Sequence, residues 1–206
     1  SYASVPEKFK LYKNNKNYLF KKINMLDQKK LSKFISKKNP DYIFNLAALS
    51  HVDRSIDNPK NTIVNNILST VNLLEAIKKC KKKKIKRLIH LSTDEVYGDV
   101  KTQSIENDIL LPSSPYSSSK SSCDQIIHSY VKTFKLPIII VRACNNFGPY
   151  QFTEKFIPTI ISKLIEGKKI PIYGNGMQRR EWIYVGDFCK IIAKFLTKGL
   201  VGQIYN

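Results

Sequence analysis

Two rhythms of apolar residues alternate along this chain. Short runs rich in Ile, Val, Leu and Phe mark buried strands. Longer stretches with apolar residues three or four positions apart mark amphipathic helices. In order, NYLFKKINM (17–25) reads as a strand. LDQKKLSKFISKK (26–38) reads as a helix with Leu26, Leu31, Phe34 and Ile35 on one face. DYIFNLAA (41–48) is a near-continuous apolar strand, the pattern of a parallel sheet covered on both faces. A long helix over 61–80, a buried strand over 86–93, a helix entered through Ser114-Pro115, and a buried strand over 136–144 follow. Beyond them come a helix over 153–167, two short extended pieces around a Gly-rich turn in 169–185, a helix over 186–199 and a last strand in GQIYN.

This alternation predicts an α/β fold: a Rossmann-like, doubly wound parallel sheet with right-handed crossovers. Ligands of such sheets bind beyond the carboxyl ends of the strands. Three successive strand patterns run into polar segments there: AALSHVDRS (47–55), STDEVYG (92–98) and NNFGPY (145–150).

Composition narrows the class. The chain has 206 residues, enough for one sizeable domain with an appendage, and its 42% hydrophobic content suits a globular core. No apolar run approaches the ~18 residues of a membrane span. The first residues lack the apolar segment of a signal peptide. Thirty-five Lys and Arg against sixteen Asp and Glu give a net charge of +19. Such charge suits either nucleic acid or a Lys-rich solvated surface, and the second is favoured. The densest run, 78–87, lies between a helix and a strand pattern and carries no interleaved aromatics. Four dispersed Cys and three scattered His form no metal constellation, and a reducing cytoplasm is the expected compartment. The chain starts without Met and stops inside a strand pattern, so it is expected to be part of a longer protein.

The chemistry concentrates in two segments. Tyr116 and Lys120 stand four residues apart on one helix face. A phenol loses its proton near pH 10, and a nearby ammonium lowers that value, so the pair is suited to take a proton from a hydroxyl. The bare motif equally describes a surface pair. Asp94 and Glu95 follow a strand ending in Ser92-Thr93. Two adjacent carboxyls can serve as acid and base if their surroundings separate their pKa values; without the other motifs they read as a turn.

Together these motifs resemble the extended short-chain dehydrogenase/reductase family. Within it, STDEVYG, SPYSSSK, LAALSHVDRS and NNFGPY resemble the dTDP-glucose 4,6-dehydratases. The resemblance implies an NAD-dependent hydro-lyase. In it Thr93, Tyr116 and Lys120 form the triad, Asp94 is the acid and Glu95 the base. It implies cofactor contacts at Asn24, Met25, Leu46, Ala47, Ala48, Ser50, Asn65, Tyr116, Lys120 and Asn146. At Asn24 the family usually carries Asp. It implies nucleotide-sugar contacts at Ser50, Thr93, Asn145, Lys155, Phe156, Pro171, Ile172, Tyr173 and Arg180, the last suited to a diphosphate. His51, Asp53 and Arg54 are expected to lock the loop.

The implied division is an NAD-binding domain over 1–150 and a partial nucleotide-sugar-binding region over 151–206, whose final helix and strand return to the first. The family's opening strand and G-x-x-G-x-x-G turn are absent here, so this piece by itself is expected to bind NAD poorly or not at all. A homodimer through helices 61–80 and 114–134 is implied, although their apolar residues equally suit a core. Another dehydratase, decarboxylase or epimerase acting on UDP-, CDP- or GDP-sugars is the nearer alternative. A basic nucleic-acid-binding protein is the remote one.

Overall fold

A computed structural model describes residues 10–80, 85–172 and 174–206. Its helices are α1 (Gln28–Lys38), α2 (Val52–Asp57), α3 (Pro59–Lys78), α4 (Pro115–Phe134), α5 (Phe156–Ile165) and α6 (Val185–Lys194). Its strands are β1 (Tyr42–Asn45), β2 (Arg87–Thr93), β3 (Ile138–Ala143), β4 (Asn145–Phe147), β5 (Trp182–Tyr184) and β6 (Ile204–Tyr205). The chain divides into two compact units. One comprises Ile23–Cys144 with Ile191–Asn206; the other comprises Asn145–Lys190 with the segment ending at Lys22.

In the larger unit, β1, β2, β3 and β6 form a parallel sheet in that order. The expected strand–helix alternation is therefore present. Ile138, Ile139, Ile140 and Val141 of β3 are all buried, as the unbroken apolar run requires. Helices α3 and α4 pack against each other, and α1 packs on α3. The core runs through Leu31, Ile35, Leu73, Leu74, Ile77, Leu88, Ile127 and Ile138. Leu74 is fully buried, so Leu74→Ala is expected to cost about 2–5 kcal/mol of unfolding free energy. Urea denaturation checks it, and an unchanged midpoint would place Leu74 outside the cooperative core.

Local signals set the helix ends. Asp27 caps α1 by accepting from the Lys30 N–H at 3.0 Å, and Asn39 closes it in the left-handed region. Asn58 caps α3, with Pro59 at its first position.

Three sequence expectations are corrected. Residues 17–25 form no strand: turns at Asn15 and Tyr18 shape the approach, Leu19 and Phe20 are exposed, and no ladder partner exists among the described residues. A strand requires a neighbour, which its own pattern cannot supply. Among the described residues, β1 is not covered on both faces. Ile43 joins the core edge, but Tyr42 and Phe44, which alternate to the other side, are exposed. Among the described residues of 169–185 only the second extended piece is a strand, and it pairs in parallel with β4.

Candidate active site

β2 delivers Thr93 to its carboxyl end in extended conformation, and the chain then tightens into a 3-10 turn over Asp94–Tyr97. The Thr93 hydroxyl organises that turn. It accepts from the Glu95 N–H at 3.3 Å and donates to Asp94 Oδ1 at 3.2 Å. Gly98 ends it with φ +79°, where a Cβ would lie 1.9 Å from the Leu111 carbonyl oxygen. Both acids are thus held on one short turn directly after the sheet.

The other half arrives on α4. Ser114 and Ser117 cap its start reciprocally, with Pro115 at the first position. Buried Ser55 of α2 reinforces this end: its hydroxyl accepts from the Tyr116 N–H at 3.2 Å and donates to the Val52 carbonyl at 2.6 Å. α4 then lies along β2 in a matched register. The Tyr116 side chain comes near Thr93, whose hydroxyl lowers its pKa. Lys120 Nζ donates to the Leu91 carbonyl at 2.6 Å. Four helical residues rise about 6 Å and two strand residues about 6.6 Å, so one helix turn matches the step from Leu91 to Thr93.

Tyr116 and Lys120 are both buried. The pKa of Tyr116 moves opposite to the sequence expectation. Burial raises it most, the Glu95 and Asp94 carboxylates raise it further, and the Thr93 hydrogen bond opposes them. The resting side chain is a phenol. Its neighbouring amine is turned instead toward Leu91 and His90, whose Nε2 lies 3.3 Å from Nζ. Burial lowers the pKa of Lys120, while Cys123 and Asp124 pull it back up.

The loop after β1 is tied to the same helix. Leu46 and Ala47 are exposed, Ala48 is half-buried, and Ser50 stands exposed before α2. Asn66, buried on α3, clasps this loop: its Oδ1 accepts from the Leu49 N–H at 2.8 Å, and its Nδ2 donates to the Leu49 carbonyl and to Ser119 Oγ. Asn65 donates its amide to Asn66. Asn24 uses its side chain on its own turn, accepting from the Leu26 N–H at 3.0 Å, and Met25 packs against the core.

The remaining expected residues lie in the smaller unit. Asn145 and Asn146 are on β4, where both the backbone N–H and the amide of Asn145 donate to the Glu181 carbonyl. Lys155 stands at the start of α5, and Phe156 stacks on Trp182 with ring centroids 5.8 Å apart. Pro171, Ile172 and Arg180 are exposed. Tyr173 lies outside the described residues. A cleft of about 590 Å³ in this unit is lined by Phe147, Tyr150, Ile157, Ile161 and Ile165. No group of three potential metal ligands occurs among the described residues, and all four Cys are free.

Sequence reasoning passed over Asn45, Ser55, Asn66 and His90. Each is a polar residue within a buried stretch, and a buried polar group needs a partner. His90 inside the apolar run LIHL was the clearest such signal.

The family model for GDP-mannose 4,6 dehydratase matches residues 3–205. A dTDP-glucose 4,6-dehydratase from Neisseria meningitidis serogroup B is 39% identical over the whole chain, which covers 61% of that protein. One from Escherichia coli is 40% identical, again over the whole chain and 62% of the relative. The chain thus spans about three-fifths of the length of these curated relatives. Among solved structures, DesIV, a dTDP-glucose 4,6-dehydratase from Streptomyces venezuelae with NAD and TYD bound, superposes with a TM-score of 0.93 at 35% identity. The match covers all of this chain and 62% of DesIV. A UDP-glucuronic acid 4-epimerase from Bacillus cereus, in complex with UDP-glucuronic acid and NAD, superposes at 0.87 with 30% identity over 96% of this chain and 62% of the epimerase. A sheet-end site of this form and a match across almost every residue give one conclusion: the chain belongs to the GDP-mannose 4,6 dehydratase family.

Proposed function

We propose that the protein containing this chain is an NAD-dependent hydro-lyase that converts dTDP-glucose into dTDP-4-keto-6-deoxyglucose. One observation carries this reading. Tyr116 lies within the influence of Thr93, Glu95 and Asp94, so phenol, hydroxyl and both acids gather at one locus at the end of β2.

The residues present fit the nicotinamide–ribose half of NAD. The Lys120 amine lies beside the sheet end, and the 46–50 loop presents small or apolar side chains, of which Leu46, Ala47 and Ser50 are exposed. Leu46, Ala47, Ala48, Ser50, Asn65, Tyr116, Lys120 and Asn146 would hold the cofactor, with Asn24 and Met25 toward the adenine. When bound, NAD would supply the hydride acceptor for C4 of the hexose and the donor for C6, and its positive ring would favour the phenolate of Tyr116.

The chain's own groups move the protons. Tyr116 takes the C4 hydroxyl proton, and the nearby Thr93 lowers its pKa. The C4 ketone acidifies C5–H, and Glu95 removes that proton. Asp94 protonates the C6 hydroxyl, which leaves as water. Glu95 then returns its proton to C5, and the proton taken by Tyr116 replaces the one lost from Asp94. The sum is the loss of one water. Ser50, Thr93 and Asn145 are assigned to the sugar. Lys155, Phe156, Pro171, Ile172, Tyr173 and Arg180 are assigned to the nucleoside diphosphate.

The exposed apolar strip of Ile63, Val64 and Leu68 on α3 supports a homodimer through α3 and α4. No helix among the described residues is long and apolar enough to cross a membrane. The epimerase likeness supports a second reading, in which a UDP-sugar is epimerised at C4. The acid pair favours dehydration, because epimerisation removes no water and requires neither acid. The test is to supply full-length protein with dTDP-, UDP-, CDP- and GDP-glucose and to record product by NMR. A 4-keto-6-deoxy product from dTDP-glucose is expected; a C4 epimer, or no turnover, overturns the reading.

A further inference from the structure

A hydrogen-bonded chain runs through the sheet beneath the reacting groups, and the mechanism above leaves it unused. Asn45, at the end of β1, places Nδ2 2.9 Å from His90 Nδ1. His90, on β2, places Nε2 3.3 Å from Lys120 Nζ. Lys120 donates to the Leu91 carbonyl. The Asn45, His90 and Lys120 side chains are all buried, at 4%, 1% and 3% exposure. Water is excluded, so each group must be satisfied by the next.

A neutral imidazole carries one N–H. Burial holds the pKa of His90 well below its ordinary value, so the ring is neutral. With the Asn45 amide donating to Nδ1, the ring's single hydrogen sits on Nε2 and points at Lys120 Nζ. Two hydrogens cannot occupy that line. Lys120 therefore meets the ring as a neutral amine, accepting through its lone pair while donating to Leu91. The opposite state is also self-consistent. A half-turn of the Asn45 amide presents its oxygen to Nδ1–H, Nε2 becomes an acceptor, and Lys120 donates to it as an ammonium. Mixed states leave two donors or two acceptors face to face.

We propose that Asn45 and His90 are positioning residues for Lys120, and that they couple its charge to the tautomer of His90. The role of Lys120 in catalysis rests on the proposed function; the coupling itself rests on the three contacts. The device links the end of β1, next to the 46–50 loop, to the residue beside Tyr116. An amide rotation at one end sets whether a cation stands at the other.

The experiment uses full-length protein with 15N-labelled histidine. The His90 ring is expected to give the Nε2–H tautomer and to stay neutral from pH 6 to 8. In Asn45→Asp, whose carboxylate only accepts, it is expected to switch to Nδ1–H. An imidazolium in this range, or a tautomer that ignores Asn45→Asp, overturns the proposal. If Asn45→Asp does not fold, the wild-type ring decides alone: an imidazolium between pH 6 and 8 overturns it. Kinetics give the second readout. His90→Leu is expected to lower kcat at least tenfold with KM for the nucleotide sugar within about twofold. His90→Gln, which keeps a polar atom toward Lys120, is expected to recover at least a third of kcat. Equal kcat in the two variants, with melting unchanged, removes the positioning role. Failure of dTDP-glucose turnover leaves the tautomer result standing, so the two readings fail separately.

Discussion

Tyr116→Phe is expected to lower formation of the 4-keto product by about 10²- to 10⁴-fold, the range of a lost general base. The protein should stay folded. The ring of Tyr116 is buried, and Phe preserves its packing, while the Thr93 hydroxyl keeps its bonds to Asp94 Oδ1 and the Glu95 N–H. Only the proton acceptor is removed. The resting phenol is held protonated by burial and by two carboxylates, so the enzyme must charge this residue only when substrate and cofactor are in place. Turnover by NMR and melting by circular dichroism separate the outcomes. Retention of more than a tenth of wild-type product formation in the folded variant would remove Tyr116 from its assigned role.

Arg142→Leu is expected to destabilise the larger unit by about 3–5 kcal/mol, because it leaves a carboxylate buried without its countercharge. Arg142 Nε donates to Asp124 Oδ2 at 3.0 Å, and both side chains are almost wholly enclosed, at 3% and 2% exposure. Burial pushes the Asp124 carboxyl up against the pull of Arg142. The same guanidinium donates to the Tyr97 hydroxyl at 2.6 Å and to the Glu106 carbonyl at 3.0 Å. Tyr97 in turn donates to Asn206 Oδ1 at 2.7 Å. The pair therefore anchors the far end of the turn that carries Asp94 and Glu95, together with the end of β6. Urea denaturation of the single variant should show the loss. The double variant Arg142→Leu/Asp124→Leu should lose less than the single one, since no charge is then stranded. A single variant as stable as wild type would show that the ion pair adds nothing.

Much of this was legible in the residue pattern. β2 and β3 announce themselves because each is a buried β-rich run, and α4 because Ser114-Pro115 is a strong start. The candidate site was readable because its chemistry is carried by residues local in sequence: two acids on one turn, and a phenol and an amine one helix turn apart. What escaped depends on neighbours. Residues 17–25 have strand composition but find no ladder partner. β1 is apolar on both faces, yet Tyr42 and Phe44 stay exposed because no described element covers their face. Asn66 clasps a loop seventeen positions away, and His90 meets partners 45 and 30 positions away. No short-range motif encodes those distances. The direction of the Tyr116 shift was missed for the same reason. Sequence offered Lys120 as its neighbour, whereas the fold placed Glu95, Asp94 and a dry environment closer.

The equal pitch of one α4 turn and two β2 residues has a mechanical meaning. Phenol and amine sit one turn apart on one rigid rod, and the amine ties that rod to the strand at Leu91. The rod cannot slide or roll enough to move one without moving the other. Errors in their spacing are thus converted into loss of the whole helix–strand contact, and the spacing is as durable as the sheet.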